Sequence, residues 1–216
     1  MRLFTAELET VVPMTEDEQN FLWWCAVGNL RGVVKLLDEG VDIDVMNSHG
    51  QTGFRLALSN GNGEVAVALR ERGADMNVLD NDGYTVLQYA LMKDDRGLVQ
   101  RCLNLGVDVD FSLPGKMTPL MIVASQDNWP SVGGLYVQGA ELNLMDAELG
   151  TALDVAVANK SWMAMDELLS FGAALMKYPE KLFAHGIHEV AGPGLEHVNN
   201  IHFFHAMKSQ LNQDAE

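Results

Sequence analysis

Apolar positions in this chain recur every 33 residues. A bulky apolar side chain stands at Phe21, Phe54, Leu87, Leu120 and Leu153, and a compact one three places later at Ala57, Ala90, Val123 and Ala156. A second apolar run, Val33, Val34, Leu36 and Leu37, is echoed by Leu69, Cys102, Leu135 and Leu168 at the places equivalent to Leu36. Polar and glycine positions keep the same beat. Thr52, Thr85, Thr118 and Thr151 are 33 apart, as are Gly40, Gly73, Gly106, Gly139 and Gly172, and each threonine precedes the next glycine of its series by 21 steps. Two combs with one period and a constant offset mark stacked supersecondary units, each burying its apolar face only against its neighbours.

The pattern inside one period predicts two helices. The first runs from the threonine, a good N-cap, to about the ninth position, and Pro119 suits a first turn. A glycine or polar break follows at Gly28, Gly61, Asp94, Asp127 and Lys160. The second helix ends at the comb glycine, which accepts a positive φ. About ten residues of turn or hairpin then lead onward. The turns with Gly50 and Gly83 share one form, whereas Gly115 sits a place early and Gly150 a place late, so the last two tips should differ in shape. Near the start, Thr15-Glu16-Asp17-Glu18 reads as a capped first turn.

These residues resemble the ankyrin repeat, whose signature opens T-P-L-H-x-A and closes G-A-D-V-N. The opening is Thr85-Val86-Leu87-Gln88-Tyr89-Ala90, Thr118-Pro119-Leu120-Met121-Ile122-Val123, Thr151-Ala152-Leu153-Asp154-Val155-Ala156 and, more loosely, Thr52-Gly53-Phe54-Arg55-Leu56-Ala57. The closing appears as Val41-Asp42-Ile43-Asp44, Ala74-Asp75-Met76-Asn77, Val107-Asp108-Val109-Asp110 and Ala140-Glu141-Leu142-Asn143. The resemblance implies an all-α solenoid of helix-turn-helix units joined by hairpin-like turns. The expected organisation is an N-terminal arm (1–14), five repeats (15–47, 48–80, 81–113, 114–146, 147–175) and a degenerate C-terminal capping repeat with a tail (176–216). Within that cap, Leu195 to Leu211 reads as an amphipathic helix.

Charge narrows the choice of partner. The net charge of −16 argues against nucleic acid, which needs clustered Lys and Arg, and against anionic membranes. It favours a partner with a basic surface. No apolar run approaches the ~18–20 residues of a membrane span, and the first residues do not read as a secretory signal. A cytoplasmic chain, single when unbound, is expected. Cys25 and Cys102 fall in different repeats and should be free thiols.

Candidate chemistry is sparse. Five of the six histidines, His185, His188, His197, His202 and His205, lie near the C-terminus. Two pairs have i,i+3 spacing, but no H-E-x-x-H array or cysteine joins them. Gly61-Asn62-Gly63 and Gly192-Pro193-Gly194 lack the lysine of a phosphate loop, and no serine has a nucleophile-elbow setting. No enzyme, cofactor or metal site is expected. Trp24, Trp129 and Trp162 should pack into the stack, and Trp23 should be exposed.

The resemblance implies a protein-binding function using the turn tips and the ends of the first helices. Carried onto this chain, those positions are Met46, Ser48, His49, Gln51, Leu79, Asn81, Asp82, Tyr84, Met117, Met145 and Glu148 at the tips. Asn60, Met92, Lys93 and Gln126 lie at helix ends, with Trp23 as an aromatic anchor. The most concrete expectation is an acidic stoichiometric inhibitor, of the immunity type, that occludes a basic protein such as a toxin. A general adaptor or scaffold is the alternative. A metal-binding or catalytic role for the C-terminal histidines is a third.

Overall fold

The computed structural model describes residues 13–174. Ten helices and no strands occur among the described residues: α1 (Glu16–Val27), α2 (Leu30–Asp38), α3 (Gly53–Ser59), α4 (Gly63–Glu71), α5 (Val86–Met92), α6 (Arg96–Asn104), α7 (Pro119–Ser125), α8 (Trp129–Val137), α9 (Ala152–Asn159) and α10 (Trp162–Ser170). The fold class is the all-α repeat solenoid that the period predicts. The described helices fall into two compact units, divided between Asp75 and Met76. The first contains α1–α4 and the second α5–α10. Most of the N-terminal arm, the C-terminal cap and the five clustered histidines lie outside the described residues.

The threonine comb is a row of helix caps. Thr52, Thr85, Thr118 and Thr151 each accept a hydrogen bond from the third helical amide, at 3.2–3.3 Å. All four are buried, where an unanswered amide would cost about 1–3 kcal/mol. Helix α1 starts a turn earlier than its counterparts. At the place equivalent to the comb threonines it carries Gln19, inside the helix, and Thr15 with Glu18 forms a reciprocal capping box instead.

The glycine comb is a row of C-terminal locks. Gly40, Gly73, Gly106, Gly139 and Gly172 all have φ between 72° and 97°. In each, the next residue's amide returns to the carbonyl five residues back, as in Val41 to Leu36 and Ala173 to Leu168. This is the Schellman closure, and it needs the left-handed conformation that glycine adopts without penalty.

The break between paired helices is also left-handed in every unit. Gly28, Gly61, Asp94, Asp127 and Lys160 all have positive φ. Two of the non-glycine residues have side-chain bonds that help hold the conformation. Asp94 Oδ1 accepts from Asn128 Nδ2 at 3.0 Å, and Asp127 Oδ1 accepts from the Ala164 amide at 2.8 Å. Both bonds run to the following helix pair, so the break is also an inter-repeat tie. In the first unit Asn62 does this work, donating through Nδ2 to the Cys25 and Ala26 carbonyls at 3.1 and 2.8 Å.

Each unit's core is built from the apolar comb. Phe21, Cys25, Val33, Phe54, Ala57, Val65 and Leu69 are buried in the first unit. Leu87, Leu91, Leu98, Cys102, Leu120, Leu135, Leu153 and Leu168 are buried in the second. Each large aliphatic side chain contributes about 1.5–3 kcal/mol by leaving water. Helices α1 and α3 meet closely at Gly53, where a Cβ would lie 2.8 Å from Cys25 Sγ and 2.9 Å from the Phe21 ring.

The tryptophan expectations need correction. Trp129 is 44% exposed, and Trp24 and Trp162 are only half-buried. The place shared by Trp129 and Trp162 is held in α6 by the exposed Arg96, so it lies at the edge of the helix interface. Trp24 is too large for the site that Ala57 fills and lies across α2 at Gly32, whose Cβ would meet its ring at 2.5 Å.

Replacing Asn62 with alanine should lower unfolding stability by about 1–3 kcal/mol, by stranding two carbonyls at the α1–α4 junction. A urea titration should show this as a lower midpoint with an unchanged slope.

Candidate binding face

The tips are shaped by short polar turns. In the first unit, Asn47 Oδ1 accepts from the His49 and Gln51 amides at 2.9 and 3.0 Å, while its Nδ2 donates to Gln51 Oε1 at 3.1 Å. Ser48, His49 and Met46 are exposed around this turn, Met46 at 47%. The side chain of Gln51 is engaged within the turn. Trp23, 60% exposed, and Asn60 lie on α1 and at the end of α3.

The second unit holds the other candidates. Asp80 Oδ1 accepts from the Asp82 and Tyr84 amides at 3.0 Å each, repeating the arrangement at Asn47. Asn81 and Asp82 are exposed, and Leu79 and Tyr84 are half-buried. The two later tips differ, as their displaced glycines predict. Asp146 builds the last one, accepting from the Glu148 and Leu149 amides through Oδ1 and from the Gly115 amide through Oδ2. Met145, 64% exposed, and Glu148 project beside it. Met117 is half-buried, and its carbonyl accepts from the buried Gln88 side chain at 3.0 Å.

Two small clusters emerge within this unit. Lys116 Nζ lies 4.9 Å from the Tyr84 ring centroid and 3.4 Å from the Asp82 carbonyl. Lys93 Nζ lies 5.9 Å from the Tyr89 ring, and Gln126 Nε2 donates to the Met92 carbonyl at 3.3 Å. Tyr89 and Met92 are 38% and 40% exposed. Lys116 and Tyr89 were not among the residues expected from sequence. The sequence shows a lysine after a loop glycine and a tyrosine inside a signature, and neither position reveals that a cation will settle over a ring.

Most of the acidity lies elsewhere. Asp42, Asp44 and Asp75 in the first unit, and Asp108, Asp110 and Glu141 in the second, occupy the turns that follow the second helices. There Asp42 and Asp108 close their own turns, while Asp44, Asp110 and Asn143 bond one turn to the next. Asp44 Oδ1 accepts from the Asp75 amide at 3.0 Å, Asp110 from the Glu141 amide at 3.1 and 3.2 Å, and Asn143 Oδ1 from the Ala174 amide at 2.7 Å. Partial burial pushes the Asp44 and Asp110 carboxyls above their usual range. Neighbouring acids add to this, and the accepted amide bond opposes it.

Both cysteines are buried free thiols, and burial pushes Cys25 up to about 12, which keeps it protonated and inert. Among the described residues no group of three or more His, Cys, Asp or Glu side chains is placed to hold a metal ion. None of the described helices is long and apolar enough to cross a membrane.

Residues 21–112 match the family model for ankyrin repeats, in three copies. That part of the chain is built of ankyrin repeats, which support a protein–protein binding module in general. No curated protein matches the chain.

Asp110→Asn should stabilise the fold at pH 7. The amide oxygen can still accept from Glu141, as Asn143 does for Ala174, while the partly buried charge is removed. Because the folded carboxyl titrates above its unfolded value, the charge is unfavourable to folding at pH 7 and is gone in both states at low pH. The gain should therefore shrink toward pH 3 in paired urea titrations. An unchanged gain across that range would contradict the assignment.

Proposed function

We propose that the tips and first-helix ends of each unit offer contact surface to a partner protein with a basic surface, and that binding occludes that partner stoichiometrically. The observation that carries this reading is the set of exposed methionines at those positions, with exposed aromatics on the first helices themselves. Met46 and Trp23 belong to the first unit, and Met92, Tyr89 and Met145 to the second. Such side chains do not help the fold where they stand, and they suit the centre of an interface. They sit on turns and helices already held by buried caps, so little ordering cost accompanies binding.

The net charge of −16 supports the choice of a basic partner through long-range steering. Asp82 and Glu148 supply carboxylates at the tips themselves. A cytoplasmic inhibitor of a basic protein, such as a toxin, is the form of this reading that uses both the acidity and the exposed tips.

The test is co-purification from the native host with mass spectrometry, followed by titration of the captured protein. One basic partner bound one-to-one is the expected outcome. Met92→Ala and Met145→Ala should each weaken affinity by about fivefold or more, and rising salt should weaken it further. Salt-independent binding would show that the acidity plays no part in recognition. Several unrelated partners would favour an adaptor instead.

A further inference from the structure

The second helices of the second unit carry a separate surface. At their outward places α6 bears Arg96, Gly97, Gln100, Arg101 and Asn104. The same places in α8 hold Trp129, Pro130, Gly133, Gly134 and Val137. In α10 they hold Trp162, Met163, Asp166, Glu167 and Ser170. Helix α6 thus has two arginines and no acid, α8 has no charged residue, and α10 has two acids and no base. In the first unit, α2 and α4 mix both signs.

The central ridge is apolar and open. Val137 is 81% exposed, Trp129 44%, and Met163 on the adjacent helix 47%. A Cβ on Gly134 would meet nothing within 4 Å. Between α6 and α8 runs a groove of about 180 Å³, lined by Leu91, Val99, Leu103, Pro130 and Leu135 together with the polar Asp94, Arg96, Gln100, Asn128 and Ser131. Helices α8 and α10 are locked together by Tyr136 stacked on Phe171 at 4.2 Å. The surface is therefore a firm platform in which α8 supplies no charge of its own, with the α6 arginines on one flank and the α10 acids on the other, Glu167 reaching back to Gly133 of α8.

We propose that this face is where two copies of the chain meet, in place of the single unbound chain expected from sequence. An interface between identical chains must complement itself. A two-fold axis running along α8, in the plane of contact, lays α8 on its own copy and swings each α6 over the other copy's α10. Arg96 and Arg101 then face Asp166 and Glu167. A two-fold axis in that plane but perpendicular to α8 would set α6 on α6 and α10 on α10, with like charges opposed, so charge selects the first arrangement. Asp94 and Asp95 at the start of α6 do not remove this sorting. The Arg96–Asp94 contact is 3.8 Å long between largely exposed groups, a pair easily exchanged. On a chain of this net charge, an uncharged helix with opposite flanks is a place where a second copy approaches without local repulsion.

Sedimentation equilibrium of the full chain from about 1 μM to about 1 mM, which spans moderate to weak affinities, tests the proposal. A reversible monomer–dimer equilibrium is expected. Val137→Glu, at a site exposed enough to leave the fold unchanged, should weaken it about tenfold or more. Reversing α6 alone (Arg96→Glu with Arg101→Glu) should weaken dimerisation, as should reversing α10 alone (Asp166→Lys with Glu167→Lys). All four reversals together should restore it to within about threefold of the starting chain. The mass of a single chain throughout the range would overturn the proposal, including the case where a different protein occupies the face. A dimer indifferent to Val137→Glu would overturn it too. So would failure of the fourfold reversal to recover in a chain whose helical circular dichroism is intact. Should the reversed chains not fold, the Val137→Glu result decides.

Discussion

No helix pair in this protein can bury its own apolar face, and the rest of the structure follows from that constraint. Seven to nine residues per helix, with the exception of the longer α1, leave each pair with a few large apolar side chains and many backbone groups to satisfy. Burial comes from the next pair in the same unit, so spacing must be kept from pair to pair. The left-handed breaks, the Schellman glycines and the buried threonine caps keep it. Each ends or begins a helix at a fixed place, and the ties through Asn62, Asp94 and Asp127 carry that register to the neighbouring pair. The turn ladder through Asp44, Asp110 and Asn143 does the same at the other end.

Once register is secured by so few positions, the others are free to vary. The tips are turns closed by an Asn or Asp side chain, and their outer residues contribute little to stability. Methionines and aromatics can stand there without cost to the fold. The outward places of the second helices are equally free, and in α6, α8 and α10 they sort by charge. Binding capacity in this protein is thus carried by positions that the repeat does not use.

Much of this was legible in the sequence because the period is carried by residues with unusual backbone demands. A glycine every 33 residues predicts a recurring positive φ, and all five comb glycines have it. Threonine at a constant offset predicts a cap, and all four cap. The displaced Gly115 and Gly150 foretold altered tips. Less legible was anything that depends on side-chain reach. Trp129 was expected inside, although Arg96, 33 residues earlier, already hinted at an edge position. Lys116 and Lys93 find tyrosine rings that no spacing rule brings together. The acids after each comb glycine are plain in the sequence, but the bonds by which Asp44 and Asp110 tie one turn to the next emerge only from geometry.

Neighbouring helix pairs thus hold the tips ready before any partner arrives. Hydrogen exchange resolved along the chain, with and without the bound partner, tests this most directly. In the free protein the helix amides of each unit should exchange slowly and together. On binding, added protection should be confined to tip and first-helix-end segments such as 79–84, 92–93 and 145–149. Helices that exchange freely alone and become protected only in the complex would mean that the partner builds the surface, and would contradict the account.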